Sequence, residues 1–278
     1  MKINLVQGGI FPIYGKTNKD STGFITSGTF QGEGKLTGTP CLFIRTSGCN
    51  LRCAWKGLDG KGSLCDTPYS SHTPEKNQME IDDIINIVKE NTLKQNIKHV
   101  IISGGEPMLQ FKPLRELSYK LKQEGFHITL ETNATIYDEE VAKNTDLISM
   151  SPKLSTSTPW AENLKDTGVE YNEKWANKHE KLRISVDKIQ SFIDGRKNLG
   201  NDFQLKFVVA DGRDVKEVEQ ILEKLTGFEP SDVMLMPEGV TVSTLNERTG
   251  WIAEQALMRG WRFCPRLHIM MFGKNRYV

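Results

Sequence analysis

Cys41-Leu42-Phe43-Ile44-Arg45 leads through Thr46-Ser47-Gly48 into Cys49-Asn50-Leu51-Arg52-Cys53-Ala54-Trp55, and Cys65-Asp66-Thr67 follows after residues 56–64. The apolar run 41–45 has the length and composition of a strand buried on both faces. The cysteine segment therefore begins at the C-terminal end of a strand, where α/β folds carry their chemistry. Three thiolates fall one short of the tetrahedral shell of a structural zinc. They suffice to cap three irons of a four-iron cluster, leaving the fourth open to a small molecule. The competing assignment is zinc held by Cys49, Cys53, Cys65 and His72. Zinc sites commonly contain a C-x2-C knuckle, and no such pair occurs here.

Outward from this stretch, strands and helices alternate. His99–Ser103 reads as a strand ending in Gly104-Gly105-Glu106-Pro107, His127–Glu131 as one running into Thr132-Asn133, and Leu147–Met150 as one closed by Ser151-Pro152-Lys153. Phe203–Val209 and Val233–Met236 are further strands, and Arg266–Met270 is expected to be the last. Helical spacing joins Ile81, Ile84, Ile85 and Val88, then Leu114, Leu117 and Leu121 before the stop at Gly125. A short helix is expected over Glu139–Ala142, another through Val215, Val218, Leu222 and Leu225, and a last over Leu245–Met258. Residues 1–40 read as loop with short extended pieces, and the polar stretch 154–180 as an insertion with a helix near Trp175. Alternation from 41 to 270 implies parallel strands with crossover helices. Six or seven units predict one α/β domain built as a partial or distorted (βα)6 barrel.

The chain has 278 residues, 36 Lys plus Arg against 35 Asp plus Glu, and 5 cysteines. Near-zero net charge gives no electrostatic reason to expect a nucleic-acid or membrane partner. The N-terminus lacks a signal-peptide pattern and no apolar run would span a bilayer, so the expected location is the cytoplasm. Disulfides are not expected there. Cys41 and Cys264 stand apart from the cluster and read as small buried hydrophobes.

A cysteine trio followed by Gly104-Gly105-Glu106-Pro107 at a strand end resembles the radical S-adenosylmethionine (SAM) superfamily. Phe30-Gln31-Gly32-Glu33, Phe43-Ile44-Arg45, Gly48-Cys49-Asn50-Leu51, Cys65-Asp66-Thr67, Ser103–Pro107, Glu131-Thr132-Asn133 and Ser151-Pro152-Lys153 follow in order. This series is similar to the 7-carboxy-7-deazaguanine synthase family, from about residue 27 onward.

The resemblance implies a radical-SAM barrel and a lyase. The enzyme would convert 6-carboxy-5,6,7,8-tetrahydropterin to 7-carboxy-7-deazaguanine, with loss of ammonia, in 7-deazapurine biosynthesis. It implies a [4Fe-4S] cluster on Cys49, Cys53 and Cys65, with SAM chelated at the open iron and cleaved to a 5′-deoxyadenosyl radical. SAM would be contacted by Leu64, Cys65, Asp66, Gly104, Gly105, Glu106, Glu131, Asn133, Ser151, Pro152, Lys153 and Lys206. The pterin substrate would be bound by Phe30, Gln31, Gly32, Glu33, Ser103 and His268, with Arg45 forking onto its carboxylate. Mg²⁺ would sit on Thr67. An electron donor of flavodoxin or ferredoxin type and a homodimeric state are also implied.

Plainer roles compete at four positions. Arg45 suits a surface salt bridge, Thr67 a turn cap, His268 the core and Lys206 an outward-facing charge. The family commonly closes its motif as Cys-x-Trp-Cys-Asp-Thr, whereas residues 56–64 intervene here and Leu64 replaces an aromatic. Gly57, Gly60 and Gly62 make this insert flexible enough to loop out and return Cys65 to the cluster. A glycyl-radical activase has similar cysteine spacing but gives no reason for the Gln-Gly-Glu loop or Arg45. A zinc-stabilised binding protein without catalysis is the alternative from another class.

Overall fold

The computed structural model describes residues 1–16 and 22–278; the part of the N-terminal segment at 17–21 lies outside the described residues. In chain order the strands and helices are β1 (Lys2–Phe11), β2 (Thr29–Phe30), β3 (Pro40–Thr46), β4 (Ala54–Lys56), β5 (Gly62–Leu64), α1 (Pro68–Ser71), β6 (Asn77–Glu80) and α2 (Ile81–Thr92). Then come β7 (His99–Gly104), α3 (Phe111–Gln123), β8 (His127–Thr132), α4 (Glu139–Lys143), β9 (Leu147–Met150), α5 (Glu173–Leu182) and α6 (Val186–Leu199). The chain continues through β10 (Asp202–Val209), α7 (Gly212–Leu222), β11 (Val233–Pro237), α8 (Val242–Arg259), β12 (Arg262–Phe263) and α9 (Leu267–Phe272).

The main sheet runs β12-β11-β10-β9-β8-β7-β3-β1-β6. From β3 to β12 every pairing is parallel. Six β–α units make this an open, partial (βα)6 barrel. Its strands are apolar runs because helices cover one face and the cavity wall the other. The helices obey the expected stripes: Ile81, Ile84, Ile85 and Val88 of α2 are buried, as are Leu114, Leu117 and Leu121 of α3. Asp82 and Asp83 in the first turn of α2 sit favourably at its positive end. Gly125 follows α3 with φ +79°, a conformation natural only to glycine. No helix among the described residues is long and apolar enough to cross a membrane.

Two expectations are corrected, and one helix lies where none was expected. The N-terminal segment expected to be loop contains β1, a ten-residue strand antiparallel to both β3 and β6. A register shift between Leu5 and Ile10, around Gly8-Gly9, breaks the alternation that would have revealed it. Arg266–Met270 is not a strand; Leu267–Phe272 is α9, and the last strand is β12. Six residues are too few to display a helical period. Between the polar insertion and β10 lies α6, whose buried Ile189, Phe192 and Ile193 are a helical triplet that marks it in retrospect.

Candidate active site

Successive parallel strands deliver the cavity wall from their C-terminal ends. After β3 come Cys49 and Cys53, after β7 Gly105, after β8 Asn133, after β9 Ser151 and Lys153, and after β11 Glu238 and Gly239. The cavity has a volume of about 190 Å³ and adjoins a second of about 540 Å³, the two sharing Arg45, Leu64 to Thr67, and His268.

Residues 56–64 do not loop out. β4 and β5 form an antiparallel hairpin that pairs Ala54 with Leu64 and Trp55 with Ser63. Gly57 N–H donates to Lys61 O at 2.7 Å across the turn, and Gly60 takes φ +76° there. One residue beyond the ladder, Cys65 N–H donates to Cys53 O at 3.2 Å. The hairpin thus returns Cys65 beside Cys53 by strand pairing, the register doing the work that adjacency does in the shorter motif.

All five cysteines are free thiols. Burial pushes the Cys49 thiol up to about 12 and raises Cys53 and Cys65 as well; Cys65 further opposes ionisation of Cys49 and Cys53, and Asp66 that of Cys65. Such a trio ionises only against compensating positive charge, which a bound metal supplies. Lys153 on the cavity side favours the thiolate form of all three. One zinc ion would hold its sulfurs about 3.8 Å apart, from Zn–S near 2.3 Å in a tetrahedron. Among the described residues, the trio of Cys, His, Asp or Glu ligand atoms gathered within 4.8 Å of one another is Glu33, Asp66 and His268, not the cysteines. His72 Nε2 lies 3.0 Å from Cys53 O, a donor's position, so that nitrogen carries a proton. The donor set fits a polynuclear cluster better than zinc.

The two glycines of 104–105 are needed for packing. A Cβ on Gly104 would lie 2.3 Å from Thr46 O, and one on Gly105 2.2 Å from Gly48 O. They let β7 approach the cysteine loop, and Glu106 N–H donates to Gly48 O at 2.8 Å. Glu106 itself is fully buried behind the wall. Its carboxylate accepts from Met108 N–H at 3.0 Å, Thr132 Oγ1–H at 2.7 Å and Asn133 N–H at 2.6 Å. Burial nevertheless raises its pKa. Every oxygen is spent on tying the loop after β7 to the loop after β8, so the structure does not bring Glu106 to the cavity surface. Phe30 and Pro152 are likewise absent from the wall.

Gln31, Gly32 and Glu33 reach the cavity on a loop closed by Gln31 N–H to Thr39 O and Gly38 N–H to Gln31 O, both 2.8 Å. Leu267 N–H, at the start of α9, donates to Gly32 O at 2.9 Å, and a Cβ on Gly32 would strike the His268 ring. Gln31 Nε2 donates to Glu131 Oε1 at 3.2 Å, and Ser103 Oγ–H to Glu131 Oε2 at 2.7 Å. Lys206 does not face outward: it is buried and ion-paired to Glu33. Arg266 Nε donates to Glu33 Oε1 at 3.1 Å, and its other arm pairs with Asp66. Burial opposes the charge on Glu33, but Lys206 and Arg266 overcome it and hold the carboxyl well below the usual range. Burial lowers the pKa of His268, whose Nε2 lies 3.9 Å from Glu33. Arg266 therefore already occupies the acidic trio.

Arg45 is half-buried at the shared wall. Its guanidinium lies 4.7 Å from the Phe11 ring centroid and donates to Tyr69 Oη at 2.6 Å. Nε is buried without a partner, and among the described residues Arg45 forms no ion pair. It is not a surface salt bridge.

Residues 43–247 match the radical SAM superfamily. The chain is 39% identical to the 7-carboxy-7-deazaguanine synthase of Halobacterium salinarum over 88% of its length and 87% of that protein. It is 34% identical to that of Rhodopirellula baltica over 94% and 91%. The chain belongs to the 7-carboxy-7-deazaguanine synthase family. Its fold is similar to the crystal structure of QueE from Escherichia coli, with TM-score 0.58 and 22% identity over 95% of this chain and 93% of that one. As a radical SAM family member it uses a [4Fe-4S] cluster and SAM, acts on a small molecule and needs an external electron. For this 7-carboxy-7-deazaguanine synthase family member the remaining expected residues, Leu64, Asp66, Thr67, Gly104, Asn133 and Ser151, all line the cavity. Sequence reasoning missed Arg266, Glu238 and Val278, which line it too. No spacing signal marks Arg266, which meets Asp66 across 200 residues of chain.

Proposed function

We propose that the chain converts 6-carboxy-5,6,7,8-tetrahydropterin to 7-carboxy-7-deazaguanine and ammonia in 7-deazapurine biosynthesis. One observation carries this assignment: three free thiols and a guanidinium without an ion-pair partner among the described residues, Arg45, open onto the same cavity. Cys49, Cys53 and Cys65 hold the cluster. Once bound, the cluster and SAM supply the 5′-deoxyadenosyl radical that takes a substrate hydrogen.

The protein's share is to bind and orient. Arg45 forks onto the substrate carboxylate, desolvated by the Phe11, Phe43 and Tyr69 rings. Gln31 and the ionised Glu33 meet the amide and guanidine-like edge of the pterin, Lys206 and Arg266 keeping Glu33 charged, with Ser103 and His268 alongside. Gly104, Gly105, Glu131, Asn133, Ser151 and Lys153 line the SAM side, where the Lys153 ammonium suits a carboxylate. Glu106 acts by fixing the loops. The Thr67 hydroxyl is a hard oxygen ligand for Mg²⁺, which would orient the substrate carboxylate. The electron comes from a flavodoxin- or ferredoxin-type protein. The enzyme works in the cytoplasm as a homodimer, supported by the exposed Leu257 and Met258 on α8.

The test is an anaerobic assay with dithionite, SAM, Mg²⁺ and the pterin acid, reading product by absorbance and mass. Wild type is expected to form the deazapurine, and Cys65→Ala to lose iron and turnover together. SAM cleavage without deazapurine, or a Cys65→Ala protein with full iron and activity, would overturn the assignment.

A further inference from the structure

The hairpin of residues 54–64 and the polar segment 154–182 are the two departures without a role so far, and they pack on each other. Asn163 Nδ2 donates to Ala54 O at 3.0 Å, and Gly62 N–H to Lys165 O at 2.6 Å. A Cβ on Gly62 would lie 2.4 Å from Asn163 O. From α5, His179 Nδ1 accepts the Arg52 N–H at 3.1 Å. The His179 ring is fully buried, and burial lowers its pKa to about 3, which keeps it neutral and able to accept. Segment 154–182 is thus a collar gripping the cysteine loop at three points.

The collar's last grip is on a side chain. The Arg52 guanidinium carbon lies over the Trp175 ring of α5, 4.6 Å from its centroid, with Lys178 Nζ 4.5 Å from the same ring. Arg52 stands between two of the cysteines, in Cys49-Asn50-Leu51-Arg52-Cys53. Its Nη1 is buried and has no hydrogen-bond partner among the described residues. Once ionised, Cys49 and Cys65 act on its charge. A buried guanidinium N–H without an acceptor is costly, and native structures seldom keep one without a use. Arg52 stands between two of the cluster's ligands in the chain, which makes cluster sulfur the candidate acceptor.

We propose that Arg52, pinned by Trp175 and His179 of the collar, is a positioning residue that presents a hydrogen-bonding positive charge to the outer sulfur face of the cluster and sets its reduction potential. This rests on Cys49, Cys53 and Cys65 being the cluster ligands. One-electron reduction adds negative charge to the cluster, and an adjacent cation with an N–H aimed at sulfur favours the reduced form. Removing it moves the midpoint to more negative values. The collar gives the potential a mechanical basis, since Trp175 fixes where the charge stands.

The test is an EPR-monitored potentiometric titration of the anaerobically reconstituted full chain, with dithionite and redox mediators. Wild type is compared with Arg52→Gln, Arg52→Lys and Trp175→Leu. Iron and sulfide per chain are measured alongside. Arg52→Gln is expected to keep its iron and show a more negative midpoint, Arg52→Lys to recover part of the difference, and Trp175→Leu to fall between. A full-iron Arg52→Gln with the wild-type midpoint overturns the proposal. Should Arg52→Gln fail to take up iron, Trp175→Leu decides: an unchanged midpoint at full iron overturns it equally. Wild type that takes up no four-iron cluster would instead refute the ligand assignment beneath it.

Discussion

Glu33→Gln should destabilise the fold through the cation it abandons. In the native chain Lys206 is paired to Glu33, their side chains 5% and 12% exposed. Arg266 shares Glu33 but also holds Asp66. With Glu33 neutral, Arg266 keeps a carboxylate, whereas Lys206 has no ion-pair partner among the described residues. Breaking a buried pair from one side costs about 3–5 kcal/mol. The lower end, about 3 kcal/mol, applies because Glu131 remains near Lys206. That is roughly a 150-fold change in the folding constant. Lys206→Met should cost far less, about 1 kcal/mol, because Glu33 keeps Arg266 at 3.1 Å. The double variant should then resemble Lys206→Met, a coupling of about 3 kcal/mol rather than additivity. Urea unfolding of the cluster-free chains by far-UV circular dichroism measures all three. The pH dependence has a definite sign. A carboxyl depressed by folding stabilises above its unfolded pKa of about 4.3 and loses that contribution as pH falls through the folded value. The gap between wild type and Glu33→Gln should therefore hold from pH 5 to neutrality and close only below about pH 4. A loss under about 1 kcal/mol, or strict additivity, would refute the idea that Lys206 depends on Glu33.

Two further substitutions probe the cavity walls. Gly105→Ala puts a Cβ 2.2 Å from Gly48 O and 2.6 Å from Ser70 O, both backbone, so the cysteine loop must move; iron uptake should drop with the circular dichroism spectrum preserved. Arg45→Lys keeps the charge but loses the planar fork, and KM for the pterin acid should rise about 10- to 100-fold with a smaller change in kcat.

The strands carrying the site were legible because each is a short apolar run ending in Gly, Asn, Ser or Pro: His99–Gly104, His127–Thr132 and Leu147–Met150 fall where periodicity puts them. β1 was hidden by Gly8-Gly9 and its irregular register, and α9 by its brevity. Glu106 and Gly104-Gly105 were visible as a motif, but not as the struts that bind three loops together.

Local order along the chain determined the alternation of strand and helix, the identity of the three thiols and the presence of an arginine at the end of β3, because burial and backbone geometry act over a few residues. Tertiary structure alone decided that a hairpin register carries Cys65 back to Cys53, that Arg266 reaches both Glu33 and Asp66, and that the polar insertion grips Arg52. Those pairings join residues 12 to 233 positions apart in the chain. Ion pairs and hydrogen bonds are short-ranged in space and indifferent to separation in sequence, so no pattern of spacing records them.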